Sequence, residues 1–259
     1  MCLILVGIDA RPDSRVLLLA NRDEFHARAA AAAAPWEQDA SVLGGRDLVA
    51  GGSWLAVRAD GRFAAVTNVR KGPPQPAPRS RGDLVRDFVL GRATASDYLA
   101  ALRPQVANFA PFNLILGDGL DVVAFEGVTR RTRPLGPGLH AISNGALDAC
   151  WPKMRRSRQL LAEALEHDAD TEALLALLRD RAIAPDDELP DTGFGLERER
   201  MLSPIFIRGD GYGTRASTLL EIGPDGQVDL VEARFGPNAA PSGRDHWRHV
   251  ADAGAWFQP

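Results

Sequence analysis

The sequence predicts an α+β protein, a mixed sandwich in which helices cover sheets. Three observations carry this expectation. The elements run strands, two helices, strands, two helices, strands, a segregation that disfavours a regularly alternating parallel sheet. The strand-like runs are short and joined by glycine turns, and Asp60-Gly61 between alternating apolar residues is a strong hairpin signal. The helix-like runs space their apolar residues as helices lying on a sheet do.

Taken in order, residues 3–8 and 15–20 read as strands joined by the turn-forming stretch 9–14, a hairpin with the N-terminus at one edge. The alanine-rich stretch 27–34 lacks an amphipathic stripe and ends at Pro35-Trp36, so a loop or short helix is expected. Strands are expected at 46–50, 53–58 and 62–68. The proline-rich segment 71–78 is neither helix nor central strand, because prolines lack donors and fix φ; it reads as a spacer or as a stiff loop at a pocket rim.

Residues 80–83 lead a helix bearing Leu84, Val85, Phe88 and Val89, and residues 94–97 cap a second bearing Tyr98, Leu99, Leu102 and Val106. Strands follow at 112–117, 122–126 and 138–143, the last delivering Asn144-Gly145. Helices are expected over 152–167 and 171–183, a surface loop over 185–200, and strands at 205–208, 212–222 and 228–235. The chain end, with Asp245, His246 and His249, reads as a solvated helix rather than a metal site.

With 259 residues, 45% hydrophobic and 25% charged, the chain suits one large or two small globular domains and is not disordered. A net charge of -4, with cations interspersed among acids, gives no electrostatic footprint for nucleic acid. No stretch approaches the ~20 apolar residues of a membrane span, and Asp9, Arg11 and Asp13 break the first apolar run before it resembles a signal peptide. With only Cys2 and Cys150, a disulfide framework is not expected; the reading is a cytoplasmic protein. The oligomeric state is not legible.

Cys2 follows the initiator methionine and is small enough for that methionine to be removed, placing a thiol and a free α-amine on one residue. An α-amine has a pKa of about 7.7–8.0, and an N-terminal amine is a recognised activating base for such a nucleophile. The plainer alternative is a small buried hydrophobe opening an apolar strand. The second apolar run ends in Asn21-Arg22-Asp23-Glu24, a polar cluster that is costly at a strand end unless paired. Arg22 suits a role in lowering the pKa of a neighbouring thiol, and Asp23 suits holding an ammonium. A surface Arg-Asp pair, worth little to stability, is the alternative.

Cys2 together with Asn21-Arg22-Asp23-Glu24 resembles the NRDE family, whose eukaryotic members are called transport and Golgi organisation protein 2 homologues. More distantly, the arrangement is similar to N-terminal-nucleophile hydrolases of the choloylglycine hydrolase and penicillin V acylase group. The near resemblance covers nearly the whole chain and implies one domain over 1–259; the distant one rests on a few positions. It implies a four-layer αββα sandwich of two mainly antiparallel sheets, and a cysteine amidohydrolase or acyltransferase acting on a small-molecule amide or thioester.

The same resemblance implies catalytic roles for Cys2, Arg22, Asp23, Asn68, Asn144 and Arg215. Asn68 and Asn144 stand at strand ends, where they suit an oxyanion site, although Asn144-Gly145 alone is more often a turn and Asn68 alone a strand cap. Arg215 is a lone guanidinium in an otherwise uncharged stretch, placed to meet a carboxylate or substrate. One departure matters: Arg22 and Asp23 are adjacent, and strand neighbours point to opposite faces, so both reach Cys2 only if the chain turns there. Asn21 and Glu24 are then the substitutes, expected with Trp54 to contact substrate; for Trp36 and Trp151, as for Trp54, core packing is the plainer fate. No cofactor is expected. The rival reading is a non-catalytic carrier of haem or an acylated metabolite, with His26 or His140 as the haem ligand.

Overall fold

The computed structural model describes residues 2–70, 72, 76–119, 121–251 and 254–259; part of the proline-rich segment therefore lies outside the described residues. Cys2–Arg11 (β1) and Ser14–Phe25 (β2) form the first hairpin. Ala30–Trp36 (β3), Asp39–Asp47 (β4), Leu55–Arg58 (β5) and Phe63–Asn68 (β6) follow, then helices Gly82–Leu90 (α1) and Ala95–Leu102 (α2) with a short 3-10 turn. Phe112–Gly117 (β7), Val122–Glu126 (β8), Arg131–Pro134 (β9) and Gly138–Ile142 (β10) precede the helices Pro152–Glu166 (α3), Thr171–Leu177 (α4) and Leu196–Leu202 (α5). Tyr212–Ile222 (β11), Val228–Phe235 (β12) and Pro241–His249 (β13) close the chain.

Among the described residues the strands form two wholly antiparallel sheets, ordered β10-β1-β2-β11-β12-β13 and β3-β4-β5-β6-β7-β8-β9. Strand alternation sorts the apolar residues into three cores. Ile4, Val6, Val16 and Leu18 from the first sheet meet Leu43, Val57, Phe63 and Ile115 from the second between the sheets. Leu3, Leu5, Leu17 and Leu19, on the opposite face of the same hairpin, pack against α3 and α4 through Met154, Leu161 and Leu174. Ala64, Val66, Leu114 and Leu116 of the second sheet pack against α1 and α2 through Leu84, Phe88 and Leu99. The result is helix, sheet, sheet, helix: the four-layer αββα arrangement.

Several expectations need correction. Residues 27–34 are neither loop nor helix for most of their length; from Ala30 they form the edge strand β3, whose Ala33 N–H donates to the buried Glu232 carboxylate at 2.9 Å. The strand placed at 46–50 lies earlier, as β4, because Asp47 accepts from Val49 and Ala50 and turns the chain. The helix over 171–183 stops at Leu177. The stretch 185–200 is not all surface loop: it contains the start of α5, with Glu199 buried. Ile205, Phe206 and Ile207 are buried without joining a sheet, and the chain end is the strand β13, not a helix. No helix among the described residues is long and apolar enough to cross a membrane.

Candidate active site

Cys2 begins β1 directly across the hairpin from Arg22, its Cα partner in β2. Both occupy even positions of their strands, the parity of the inter-sheet residues Ile4 and Ala20. They therefore face the second sheet, into a cleft of about 380 Å3 that also takes in Glu24, Trp54, Asn68 and Arg81. A cavity of about 450 Å3 lies at the far end of the first sheet, around Glu221 and Asp229, remote from this hairpin end.

Arg22 is 6% exposed and stacks on Trp54, its guanidinium carbon 4.1 Å from the ring centroid. Trp54 is held flat by the close approach of Gly45, where a Cβ would lie 2.3 Å from the indole. Arg81 immediately precedes α1 and is brought to the cleft by a backbone contact between Gly52 and Gly82, where a Cβ on Gly52 would lie 2.3 Å from a Gly82 backbone atom. Burial pushes the Cys2 thiol up from its ordinary value of 9.0, and the Asp23 charge adds to this; the Asp23 backbone N–H and the Arg22 guanidinium pull it down.

Asp23 takes the other face of β2 but still borders the cleft: its backbone N–H meets the thiol, and its charge is felt there. Its carboxylate accepts from Thr214 Oγ at 2.6 Å and lies near Lys153 of α3, which is 4% exposed. Burial pushes Asp23 up, opposed by Lys153 and Thr214, and pulls Lys153 down to about 8, opposed by Asp23. The chain does not turn at Arg22-Asp23, so the predicted alternation holds: the two side chains serve opposite faces.

The other candidates separate. Asn68 lines the cleft; Asn144, fully buried behind it, donates from Nδ2 to the Asn68 carbonyl at 2.8 Å and does not line the cleft. Glu24 lines the cleft, its Oε1 accepting from the Phe25 N–H at 2.8 Å. Asn21 does not: it faces the helical layer, donating to the Leu178 and Ile205 carbonyls at 2.8 Å each and accepting from Ser217 at 2.6 Å. Its expected contact with substrate is corrected to a structural tie. Arg215 is the extra residue of a bulge in β11, between Thr214 opposite Asp23 and Ala216 opposite Arg22. It donates to the carbonyls of Phe25 and Arg28 instead of pairing with a carboxylate, and lies beside the cleft rather than lining it. Trp36 donates to the Gly44 carbonyl in the core, and Trp151 packs under Arg70.

Sequence reading missed Arg81, Lys153, Thr214 and the buried pair Arg70–Glu199, 3.0 Å apart. A signal existed for two. Arg81 at the start of α1 and Lys153 in the first turn of α3 are cations at the positive ends of helices, where the dipole disfavours them. For Thr214 nothing in the sequence pointed. His26 and His140 do not line the cleft; His140 faces Asp148 at 3.2 Å and the Gly136 carbonyl at 2.9 Å, so the cleft offers haem no imidazole among the described residues.

Two stacked antiparallel sheets with helices outside, and a cysteine at the start of a central strand, define an N-terminal-nucleophile hydrolase-like fold. Solved structures agree at the level of fold. A conjugated bile acid hydrolase from Clostridium perfringens, solved as a C2A mutant, superposes with a TM-score of 0.52 at 8% identity over 100% of this chain and 92% of that one. An N-acylethanolamine-hydrolyzing acid amidase orthologue from Caenorhabditis elegans gives 0.50 at 13% identity over 85% and 92%. The chain belongs to the Transport and Golgi organisation 2 family, whose description matches residues 1–237. It is 34% identical to the Bos taurus Transport and Golgi organization protein 2 homolog and 33% identical to that of Homo sapiens, each over 90% of this chain and 92% of the relative.

Proposed function

We propose that the mature chain starts at Cys2 and is a single-domain cysteine amidohydrolase or acyltransferase for a small-molecule amide or thioester. The observation that carries this reading is the placement of Cys2 on the cleft floor, paired with Arg22 and facing Asn68. The name of one fold relative, an acid amidase, favours an amide.

In this reading the Cys2 sulfur attacks the carbonyl carbon while the thiol proton passes to the α-amine. The oxyanion that forms needs preorganised donors, and loss of one such donor costs about 2.7–4 kcal/mol; Asn68 supplies one, with its backbone fixed by Asn144. Arg22 stabilises the thiolate, and Asp23 holds the amine from the opposite face. Collapse breaks the C–N or C–S bond, the amine returning its proton to the leaving nitrogen or sulfur. The thioester left on Cys2 is resolved by water, which gives its proton to the same amine and releases the acid, or by a second acceptor. Arg215 orders the end of β2 through its two carbonyl contacts.

The test is the intact mass of the purified protein, followed by turnover of a panel of amides and thioesters. The expected result is loss of Met1 and turnover that the Cys2→Ala variant abolishes and Cys2→Ser partly retains. Turnover surviving in Cys2→Ala overturns the mechanism.

A further inference from the structure

The cleft is charged in an uneven way, although the whole chain is acidic. Arg28 donates to Asp47 at 3.0 and 2.7 Å, and Arg79 donates to Asp87 at 2.7 Å and lies 3.5 Å from Asp83, so these two cations are answered within the protein. Arg22 and Arg81 are not. Among the described residues neither has a carboxylate within 4.0 Å, and the Arg22 guanidinium makes no hydrogen bond.

Arg22 is more than nine-tenths buried and opens onto the cleft, while Arg81 is fixed by one bond to the Pro111 carbonyl at 3.2 Å, leaving most of its five N–H donors unspent. Of the other cleft carboxylates, Asp23 is engaged by Thr214 and by the charge of Lys153, and Glu24 is held to its own Phe25 N–H. With Asp23 matched by Lys153, one buried cation and one half-buried cation against Glu24 leave a positive remainder beside Cys2. Burial pulls both guanidinium groups below their ordinary value, the direction expected of cations that lack a full counter-charge. Burying a cation unpaired is costly, and a ligand anion removes the cost.

We propose that Arg81 and Arg22 form an anion subsite beside the Cys2 thiol, and that the molecule acted on carries a carboxylate or an equivalent acidic group close to the carbonyl under attack. This inference rests on the reading of Cys2 as the nucleophile. Arg22 sits against the thiol and serves both it and the anion; Arg81, reaching in from the other sheet's helix, determines specificity. The planar guanidinium fork suits bidentate recognition of an oxyanion.

Iodoacetate and iodoacetamide probe this directly, since thiolate displaces iodide from both and they differ in one charge. Alkylation is followed at Cys2 and at Cys150, the exposed second cysteine, by peptide mass spectrometry of the same sample. The expected ratio of iodoacetate to iodoacetamide rate is higher at Cys2 than at Cys150 by roughly tenfold, the scale of one partly screened charge pair. Arg81→Met brings the two ratios together, and Arg81→Lys retains part of the difference. Were Arg81 to serve only the thiolate, Arg81→Met would slow both reagents alike and leave the ratio unchanged, which overturns the proposal.

Should Arg81→Met not fold, protection of wild-type Cys2 from iodoacetamide by hippurate but not by its neutral amide decides the matter; equal protection overturns the subsite. Cys2 inert to both reagents while Cys150 labels removes the nucleophile reading and the subsite with it. Cys2 reactive without preference for the anion removes the subsite alone.

Discussion

The side-chain amide of Asn144 donates to the main-chain carbonyl of Asn68 at 2.8 Å, joining the strand end of one sheet to that of the other at the edge of the cleft. The junction is reinforced by Thr67, whose hydroxyl donates to the Ser143 carbonyl at 2.6 Å, and by the Arg70 N–H, which donates to the Asn144 carbonyl at 2.8 Å. Asn144→Leu leaves a half-buried carbonyl without its donor, at a cost of about 1 kcal/mol. Urea unfolding should show that loss, together with slower alkylation of Cys2 as Asn68 loses its fixed position. A midpoint unchanged from wild type would show that the two sheet ends are held without this bond.

The direction of the Cys2 shift sets its pH dependence. In chains that retain Met1, the thiol is raised above 9.0, so iodoacetamide alkylation of Cys2 should rise tenfold per pH unit through neutral pH and bend only above 9.0. Arg22→Met removes a lowering charge and moves the bend further up, slowing alkylation at pH 8. In chains that begin at Cys2, the α-amine on the same residue moves the bend down. Mass separates the two forms, and identical profiles would show that the amine does not reach the thiol.

Thr214 bridges two groups at once: its hydroxyl donates to Asp23 at 2.6 Å and accepts from the Ile207 N–H at 2.9 Å. Thr214→Val keeps the shape and leaves both groups short of a partner, with an expected loss of about 1–3 kcal/mol. Thr214→Ser should restore most of it. Thermal unfolding of both variants is the check, and Thr214→Val as stable as wild type with Thr214→Ser the weaker would show that the methyl group matters and the hydroxyl does not.

The Arg70–Glu199 pair is buried on both sides, and Glu199 also accepts from the Thr192 N–H at 3.2 Å. Removing one partner of such a pair costs about 3–5 kcal/mol, because the other charge stays buried and alone. Arg70→Met and Glu199→Gln should each approach that loss, and the double variant should lose less than their sum. Additive losses in urea would mean that the two charges are solvated independently.

Where the sequence was legible, two-residue alternation was the reason. β7, β8, β11 and β12 fall at the expected boundaries because each carries a run of apolar or β-branched residues between glycine turns. β3 and β13 were not legible, because neither carries its own pattern. The alanines of β3 become a strand through β4 and through contacts to distant residues, with Glu232 accepting from the Ala33 N–H and Trp247 donating to its carbonyl at 2.9 Å. Ile205 to Ile207 mislead in the opposite sense: apolar and buried, they satisfy their backbone with Asn21, Thr214 and Asp180 rather than a ladder.

The cleft followed the same division. Cys2, Arg22 and Glu24 could be placed from the hairpin alone, since register and parity put them on one face. Arg81 comes from a segment 57 residues beyond Glu24 in the chain and on the other sheet's helix, a proximity that no local pattern encodes. Asn21 was misread because the four polar residues look like one cluster in sequence, whereas alternation divides them between a cleft and a helical layer.

The bulge at Arg215 has a consequence for how β11 tolerates change. Beyond it, Ser217 and Leu219 face the helical layer from odd positions, while before it Thr214 faces the same layer from an even one. Were β11 to run without the bulge, Arg215 would stand opposite Arg22, two like charges on adjacent strands. The inserted residue is a phase shift in the strand, and it uncouples two registers: the part that holds the core keeps one rhythm and the part that addresses Asp23 keeps another. Deleting Arg215 would join Thr214 directly to Ala216 and return the strand to plain alternation, keeping both registers but removing the two carbonyl contacts that tie the end of β2.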